Sequence, residues 1–109
     1  MVILRRESSI ERKVCRDALK KWGIKSIKLN GRGQTGWPDR EFLIFGGRSL
    51  YIEFKKSGGR CTAKQQRILR WLKGNGNAVA VHDSAEDALK DIQMGNTGYR
   101  PNNKLESFL

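Results

Sequence analysis

The chain has 109 residues, with 22 Lys and Arg against 11 Asp and Glu, and its formal net charge is +11. This length suits one domain with one core, and the excess of positive charge predicts a polyanionic partner, most commonly nucleic acid. No apolar run approaches the ~20 residues that span a bilayer, the N-terminus lacks the order of a secretory signal, and two distant cysteines predict neither a disulfide framework nor a zinc site. Composition therefore disfavours a membrane-bound or secreted protein and predicts a cytoplasmic one.

Hydrophobic periodicity and turn residues predict seven elements. In chain order these are a helix from Ser8-Ser9 to about Trp22, strands over 24–29, 40–45 and 49–55, a helix from the N-cap Thr62 to about Gly74, a strand over 78–82 and a helix over 85–94. From Gly95 onward the chain has no periodicity. We therefore expect residues 1–94 to form the domain and 95–109 to be a tail that is loose or ordered by a partner.

The predicted element order is α-β-β-β-α-β-α, which favours an α/β fold with a small mixed sheet flanked by helices. Gly46-Gly47 is a hairpin turn signal, so the second and third strands should pair antiparallel. The fourth strand follows the third after a helical crossover, and such a connection predicts that the two are parallel.

Charged residues stand at the ends of the second and third strands. Alternation places Glu53 and Lys55 on one face of the third strand, roughly 7 Å apart, and Phe54 on the other face. Asp39 opens the second strand directly after Pro38, and the hairpin would bring its carboxylate beside Glu53. Hard oxygen ligands of this kind suit Mg²⁺ or Mn²⁺, with the Phe54 carbonyl as a further possible ligand. The pattern indicates metal-assisted phosphodiester hydrolysis, in which Lys55 orients water or stabilises charge on the phosphate.

The simpler interpretation of these charges is a solvated pair at a strand end, and two further residues argue against it. Counted at about 100° per residue, Glu11 lies in the apolar half of the first helix and Gln65 lies in the apolar sector of the second. Each alone is explained by a polar residue that caps the helix or extends to solvent. Together they suggest one polar centre inside the fold. The predicted apolar face of the second helix consists of Ile68, Leu69, Trp71 and Leu72.

These residues form an ordered series that resembles the PD-(D/E)xK nuclease superfamily and, within it, the VRR-NUC family of virus-type replication and repair nucleases. The series consists of Glu11, Gly36-x-Pro38-Asp39, Glu53-x-Lys55, Gly59-Arg60 and Gln65, and the resemblance covers about residues 7 to 92. Glu-x-Lys alone is a weak signal, whereas the whole series at these spacings is a strong one. The resemblance implies a restriction-endonuclease-like core, α-β-β-β-α-β, with a C-terminal helix.

The resemblance also implies a role for each site residue. Asp39, Glu53 and the Phe54 carbonyl would bind Mg²⁺ or Mn²⁺, and Glu11 would join the metal site, directly or through water. Lys55 would be the catalytic lysine, and Gln65 would order the site from the second helix. Short members of the family resemble structure-selective endonucleases that act as homodimers on branched DNA such as Holliday junctions or flaps, in phage and bacteria. No small-molecule substrate is implied.

One position departs from the family pattern, because Arg40-Glu41 stands where apolar residues usually follow Asp39. Glu41 shares the strand parity of Asp39. It is therefore either an extra acid near the metal or a charge at the strand edge, and we favour the second interpretation.

Basic residues near the predicted site are candidate phosphate contacts, which position DNA without reading its sequence. They are Arg32, Lys56, Arg60 and Lys64. Trp37 lies in the loop that leads to the site, where it is either a core residue or a base-stacking one. Nothing resembles a base-reading helix, which favours structure selectivity over a restriction-type enzyme. A non-catalytic basic DNA-binding module is the remaining alternative, although it would not require an acid-acid-lysine set.

Overall fold

The computed structural model describes residues 7–30 and 35–96, and within these ranges the chain forms three helices and four strands. The elements are α1 (Glu7–Trp22), β1 (Ser26–Lys28), β2 (Arg40–Ile44), β3 (Arg48–Phe54), α2 (Ala63–Gly74), β4 (Ala78–His82) and α3 (Ala85–Asn96). The predicted element order and the α/β class are confirmed.

The four strands form one mixed sheet in the order β1-β2-β3-β4. β2 and β3 pair antiparallel, with Arg40 opposite Ile52, and Gly46 and Gly47 adopt positive φ in the turn between them. β4 runs parallel to β3 after the α2 crossover, and Glu53 lies opposite Val81. Both predicted pairings are therefore confirmed, since a tight turn reverses the chain whereas a helical crossover returns it in the same direction.

Helices cover both faces of the sheet. Successive side chains of each strand point to opposite faces, so the buried ones belong to one of two cores. On the first face, α1 and α3 pack on inward residues that include Phe42, Ile52 and Phe54, all at most 1% exposed. On the second face, Leu69 and Leu72 of α2 pack with residues of β4 and with Tyr51. We call this second side the α2 face. Because Tyr51 lies on it, Glu53 lies on it too.

Several predicted boundaries differ from the structure. β1 has three residues, in place of the predicted 24–29, because only Ser26–Lys28 find register partners on β2. α3 continues to Asn96, two residues past its predicted end. Gly95 is buried there, and its carbonyl accepts a hydrogen bond from Arg48. The predicted tail beyond this point lies outside the described residues.

The predicted apolar face of α2 is wrong at one position. Leu69 and Leu72 are buried, but Trp71 is 60% exposed. Trp71 lies at the border of the apolar sector, and α2 packs mainly over β4, so the sheet does not extend far enough to cover it. Among the described residues, no helix is long and apolar enough to cross a membrane.

Candidate functional site

Asp39 stands immediately before β2, and the hairpin fixes its carboxylate against β3. Its Oδ2 accepts a hydrogen bond from the backbone N–H of Phe54 at 2.8 Å, and Asn30 donates to the other carboxylate oxygen. The side chain is therefore held from both neighbouring segments, and Asp39 is 8% exposed. Because Arg40 lies opposite Ile52, the same register brings Asp39 level with Glu53. The structure thus brings together the two acids that the sequence placed at the hairpin end.

Glu53 and Lys55 form a buried ion pair at the end of β3. Lys55 Nζ lies 3.3 Å from Glu53 Oε2, and the two residues are 7% and 3% exposed. The backbone N–H of Lys55 donates to the carbonyl of His82 at 2.9 Å, which continues the β3–β4 ladder by one residue. A lysine held so rigidly beside a carboxylate is available to a ligand without a large loss of side-chain entropy.

Gln65 joins the start of α2 to this ion pair. Its Nε2 donates to Glu53 Oε2 at 3.2 Å, and its Oε1 accepts from Lys55 Nζ at 2.9 Å. The same Oε1 accepts from the backbone N–H of Thr62 at 2.8 Å, while Thr62 Oγ1 accepts from the Gln65 backbone N–H. This is a capping box, which fixes the first turn of a helix. One side chain therefore begins the helix and orients the acid and the lysine.

The two acids have raised pKa values. Burial raises the pKa of the Glu53 carboxyl to about 8, and the Asp39 charge adds to this while Lys55 opposes it. Burial raises the pKa of Asp39 to about 6, although the hydrogen bond from Phe54 lowers it. The site is therefore short of positive charge, since one lysine does not compensate two neighbouring buried carboxylates.

Glu11 lies on α1 with its carboxylate against Arg40. Glu11 Oε2 is 2.7 Å from Arg40 Nε, and both side chains are largely buried. Arg40 shares the strand parity of Phe42, so it faces α1, on the opposite side of the sheet from Glu53. The Glu11 charge still raises the pKa of Asp39. Its place in the metal site stays a prediction, and the structure adds Arg40 as its partner.

Glu7 approaches the acids, and the sequence reasoning did not select it. Its Oε1 accepts a hydrogen bond from the backbone N–H of Lys56 at 3.2 Å. Its charge raises the pKa of both Asp39 and Glu53. The signal was present in the sequence, because Glu7 precedes the buried Ile10 by three residues and therefore shares its side of α1. The predicted helix start at Ser8 left it out.

The other predicted residues are the candidate phosphate contacts and Glu41. Lys56, Arg60 and Lys64 are exposed on the loop after β3 and at the start of α2, and Lys64 Nζ donates to Thr35 Oγ1 at 2.8 Å. Arg32 lies outside the described residues. Glu41 accepts from Ser49 Oγ at 2.6 Å, farther along the hairpin, which agrees with a charge on the sheet rather than at the acids.

Asp39 and Glu53 suit a divalent cation that needs only one or two protein carboxylates. Among the residues of 7–30 and 35–96, no three His, Cys, Asp or Glu side chains converge as a metal-holding group. Mg²⁺ does not need such a group, because it is often held by one or two carboxylates and completed by waters and substrate phosphate. The residues present fit this pattern, since Asp39 and Glu53 are adjacent and buried, and the single Lys55 beside them only partly offsets their charge.

Searches of family models, curated proteins and solved structures found no match for this chain. A proposal of function therefore depends on the site geometry and on the sequence pattern.

Proposed function

We propose that the protein is a Mg²⁺-dependent, structure-selective DNA endonuclease that hydrolyses phosphodiester bonds in branched DNA such as Holliday junctions or flaps. The observation that carries the proposal is the buried pair Glu53–Lys55, with Nζ and Oε2 3.3 Å apart, beside the buried Asp39. The VRR-NUC resemblance of the sequence supports it. We place this activity in the cytoplasm of a bacterial or phage-infected cell.

Each site residue has a role in this reaction. Asp39, Glu53 and the Phe54 carbonyl would hold the metal, which when bound supplies polarisation of the scissile phosphate and a bound water of lowered pKa. Lys55 would orient the attacking water or stabilise the negative charge that develops on the phosphate. Gln65 would keep the Lys55 ammonium in place through its hydrogen bond at 2.9 Å. Mn²⁺ would substitute for Mg²⁺, because both prefer oxygen ligands.

DNA would be held by exposed cations around the acids. Lys56 and Arg60 lie on the segment that joins β3 to α2, directly beyond Lys55, and Lys64 lies in the first turn of α2. Contacts from such residues to phosphates give affinity that falls with salt and does not depend on sequence. A net charge of +11 favours the same partner.

The proposal is tested by incubating the wild-type protein and Lys55→Ala with a four-way junction, a flap and a plain duplex, in Mg²⁺, Mn²⁺ or EDTA. We expect the wild type to cut the branched substrates with either metal and not with EDTA. Equal, metal-independent outcomes for both proteins would exclude the enzyme and favour the non-catalytic DNA-binding module. Cleavage of the plain duplex at one sequence would favour a restriction-type enzyme instead.

We further propose that the protein acts as a homodimer. Residues 7–30 and 35–96 carry one acid-acid-lysine site, and symmetric incision of a junction needs two. The part of the α2 face over β1 and β2 offers exposed apolar side chains for such contact, with Ile27 48% and Leu43 40% exposed. Light scattering with and without DNA checks this proposal, and a monomeric mass under both conditions would remove it.

A further inference from the structure

The outer surface of α2 combines positive charge with an exposed tryptophan. The helix Ala63–Gly74 contains no acidic residue and four basic ones, Lys64, Arg67, Arg70 and Lys73. Trp71 is 60% exposed among them. Lys64, Arg67 and Trp71 follow one another at spacings of three and four residues, which places them along one side of the helix.

This side of α2 is connected to the acids through the loop that leads into β2. Gly36 packs so closely on the helix that a Cβ there would lie 2.8 Å from Lys64 Cγ. The next residue, Trp37, meets Trp71 edge to face, with 6.4 Å between ring centroids. Asp39 follows two positions later. The exposed indole of Trp71 thus contacts one end of a short segment, and Asp39, a proposed metal ligand, lies at the other end.

We propose that this side of α2 binds an unpaired DNA strand, with a nucleobase stacked on Trp71 and its phosphates on the neighbouring cations. Aromatic side chains beside cationic ones are the usual means of holding single-stranded nucleic acid, because every base has a π-face and every nucleotide has a phosphate. The inference rests on the proposed nuclease function and makes it more specific. The preferred substrate has unpaired nucleotides next to the cleaved bond, as a flap does.

A second copy of the chain is the competing occupant, and charge argues against it. A two-fold symmetric contact through α2 would place the same patch of each copy against the other. Four cations with no acid on the helix would then face four more. A polyanion is attracted by this surface, whereas another copy of it is repelled.

The experiment measures binding in EDTA, so that cleavage plays no part. Fluorescence anisotropy compares a labelled 15-nucleotide single strand, the same strand with abasic sites in place of its central bases, and a blunt duplex. The proteins are the wild type, Trp71→Ala, Trp71→Phe and the control Leu19→Ala, which truncates a side chain that is 51% exposed on α1. Thermal unfolding of each variant establishes that it is folded.

We expect Trp71→Ala to bind the normal single strand about 5- to 100-fold more weakly than the wild type, which is the usual cost of losing one base-stacking contact. Trp71→Phe should keep most of the affinity, and Leu19→Ala all of it. The wild type and Trp71→Ala should bind the abasic strand with the same affinity as each other. They should also bind the duplex with the same affinity as each other. Tryptophan emission of the wild type should be quenched by the normal strand more than by the abasic one, and Trp71→Phe should lose most of that quenching.

Equal binding of the normal strand by Trp71→Ala and the wild type would overturn the proposal. So would a loss of the same size on the abasic strand, or a change from dimer to monomer in Trp71→Ala, which would place Trp71 in an interface between copies. The outcome is separable from that of the nuclease proposal. Base-dependent binding through Trp71 without any metal-dependent cleavage would remove the nuclease function alone, and cleavage without this dependence would remove the strand-binding surface alone.

Discussion

The amide oxygen of Gln65 accepts a hydrogen bond from the ammonium of Lys55 at 2.9 Å while it also accepts one from the backbone N–H that begins α2. The position of the lysine is therefore tied to the first turn of a helix. The same side-chain oxygen caps α2 and orients the lysine, so a change in the first turn of α2 would displace the Lys55 ammonium.

Replacing Lys55 tests the catalytic role most directly. We expect Lys55→Met to lower the rate of cleavage by about 10²–10³-fold, the usual effect of removing one group that stabilises developing charge. Methionine keeps the unbranched apolar part of the lysine side chain and removes the ammonium, so the fold should be retained. Lys90→Met is the matched control and should cleave at the wild-type rate, because Lys90 is exposed on α3, which covers the opposite face of the sheet from Glu53. Equal rates for the two variants would remove Lys55 from the mechanism.

Replacing Gln65 tests the connection between helix and site, and its neighbour provides the control. Gln65→Ala removes bonds to Thr62, Lys55 and Glu53, whereas Gln66→Ala removes one bond to the carbonyl of Cys61. Each hydrogen bond contributes about 1 kcal/mol, so both variants should be less stable, Gln65→Ala more so. Only Gln65→Ala should also lose activity per folded molecule, which is measured by cleavage rate against the folded fraction from circular dichroism.

The raised pKa values predict an unusual dependence of stability on pH. A carboxyl whose pKa is higher in the folded state binds more protons when folded, so its contribution to stability is full below its unfolded pKa and is lost as the pH rises through the folded value. Asp39 changes from 3.8 to about 6 and Glu53 from 4.5 to about 8. At about 1.4 kcal/mol per pKa unit, the free energy of unfolding in EDTA should fall by several kcal/mol between pH 5 and pH 8.5, mostly through Glu53.

Glu53→Gln should remove most of this fall, and urea denaturation at the two pH values measures it. Mg²⁺ should restore stability to the wild type at pH 8.5 and have little effect at pH 5, because the proposed metal site requires ionised carboxylates. A wild type whose stability is the same at both pH values, or that gains equally from Mg²⁺ at both, would contradict the prediction.

Gly36 should be the least replaceable glycine near the site. Its φ of +90° is unfavourable for other residues, and a Cβ would also meet Lys64 and Ile68 at 2.8 and 3.0 Å. Gly46 has a similar φ of +89° but open space around it. Both alanine variants should lose about 1 kcal/mol or more from backbone strain. Gly36→Ala should lose more than Gly46→Ala in denaturation and should alone reduce cleavage, since it displaces the segment that leads to Asp39.

The pair Glu11–Arg40 separates a structural role of Glu11 from a metal-binding one. If the ion pair only stabilises the fold, Glu11→Gln and Arg40→Gln should have similar stability and similar activity. We expect instead that Glu11→Gln raises the Mg²⁺ concentration needed for half-maximal cleavage and that Arg40→Gln does not. Metal titrations of both variants measure this difference. Identical titration curves for the two would remove Glu11 from the metal site.

The site was predictable where a local pattern constrains it. Glu53 and Lys55 follow from strand alternation, and Asp39 follows from the Gly46-Gly47 turn, because a tight turn leaves few registers for a hairpin. Gln65 follows from helical phase, since a polar residue in an apolar sector must find a polar partner. The parallel pairing of β4 with β3 was predictable because a helical crossover connects the two strands.

Other contacts were not predictable because they join segments that are distant in the sequence, and periodicity and turn signals describe only neighbouring residues. The partner of Glu11 is a residue 29 positions away, and the sequence gives no sign that Arg40 faces α1 until the sheet face is assigned. Asn30 holds Asp39 from a loop whose composition indicates only a loop. Glu7 lies on the same side of α1 as Ile10, but the predicted helix begins at Ser8, one residue after the observed start, and so excludes Glu7.

The sequence by itself determined the order of the elements, the faces of the strands and four of the residues that meet at the site, because periodicity and turns are properties of adjacent residues. Only the tertiary structure decided what lies opposite each face. It pairs Glu11 with Arg40, buries Asp39 and Glu53 together so that their pKa values rise, and leaves Trp71 exposed. Burial and electrostatic coupling depend on all elements packed around a residue, and no window of the sequence contains them.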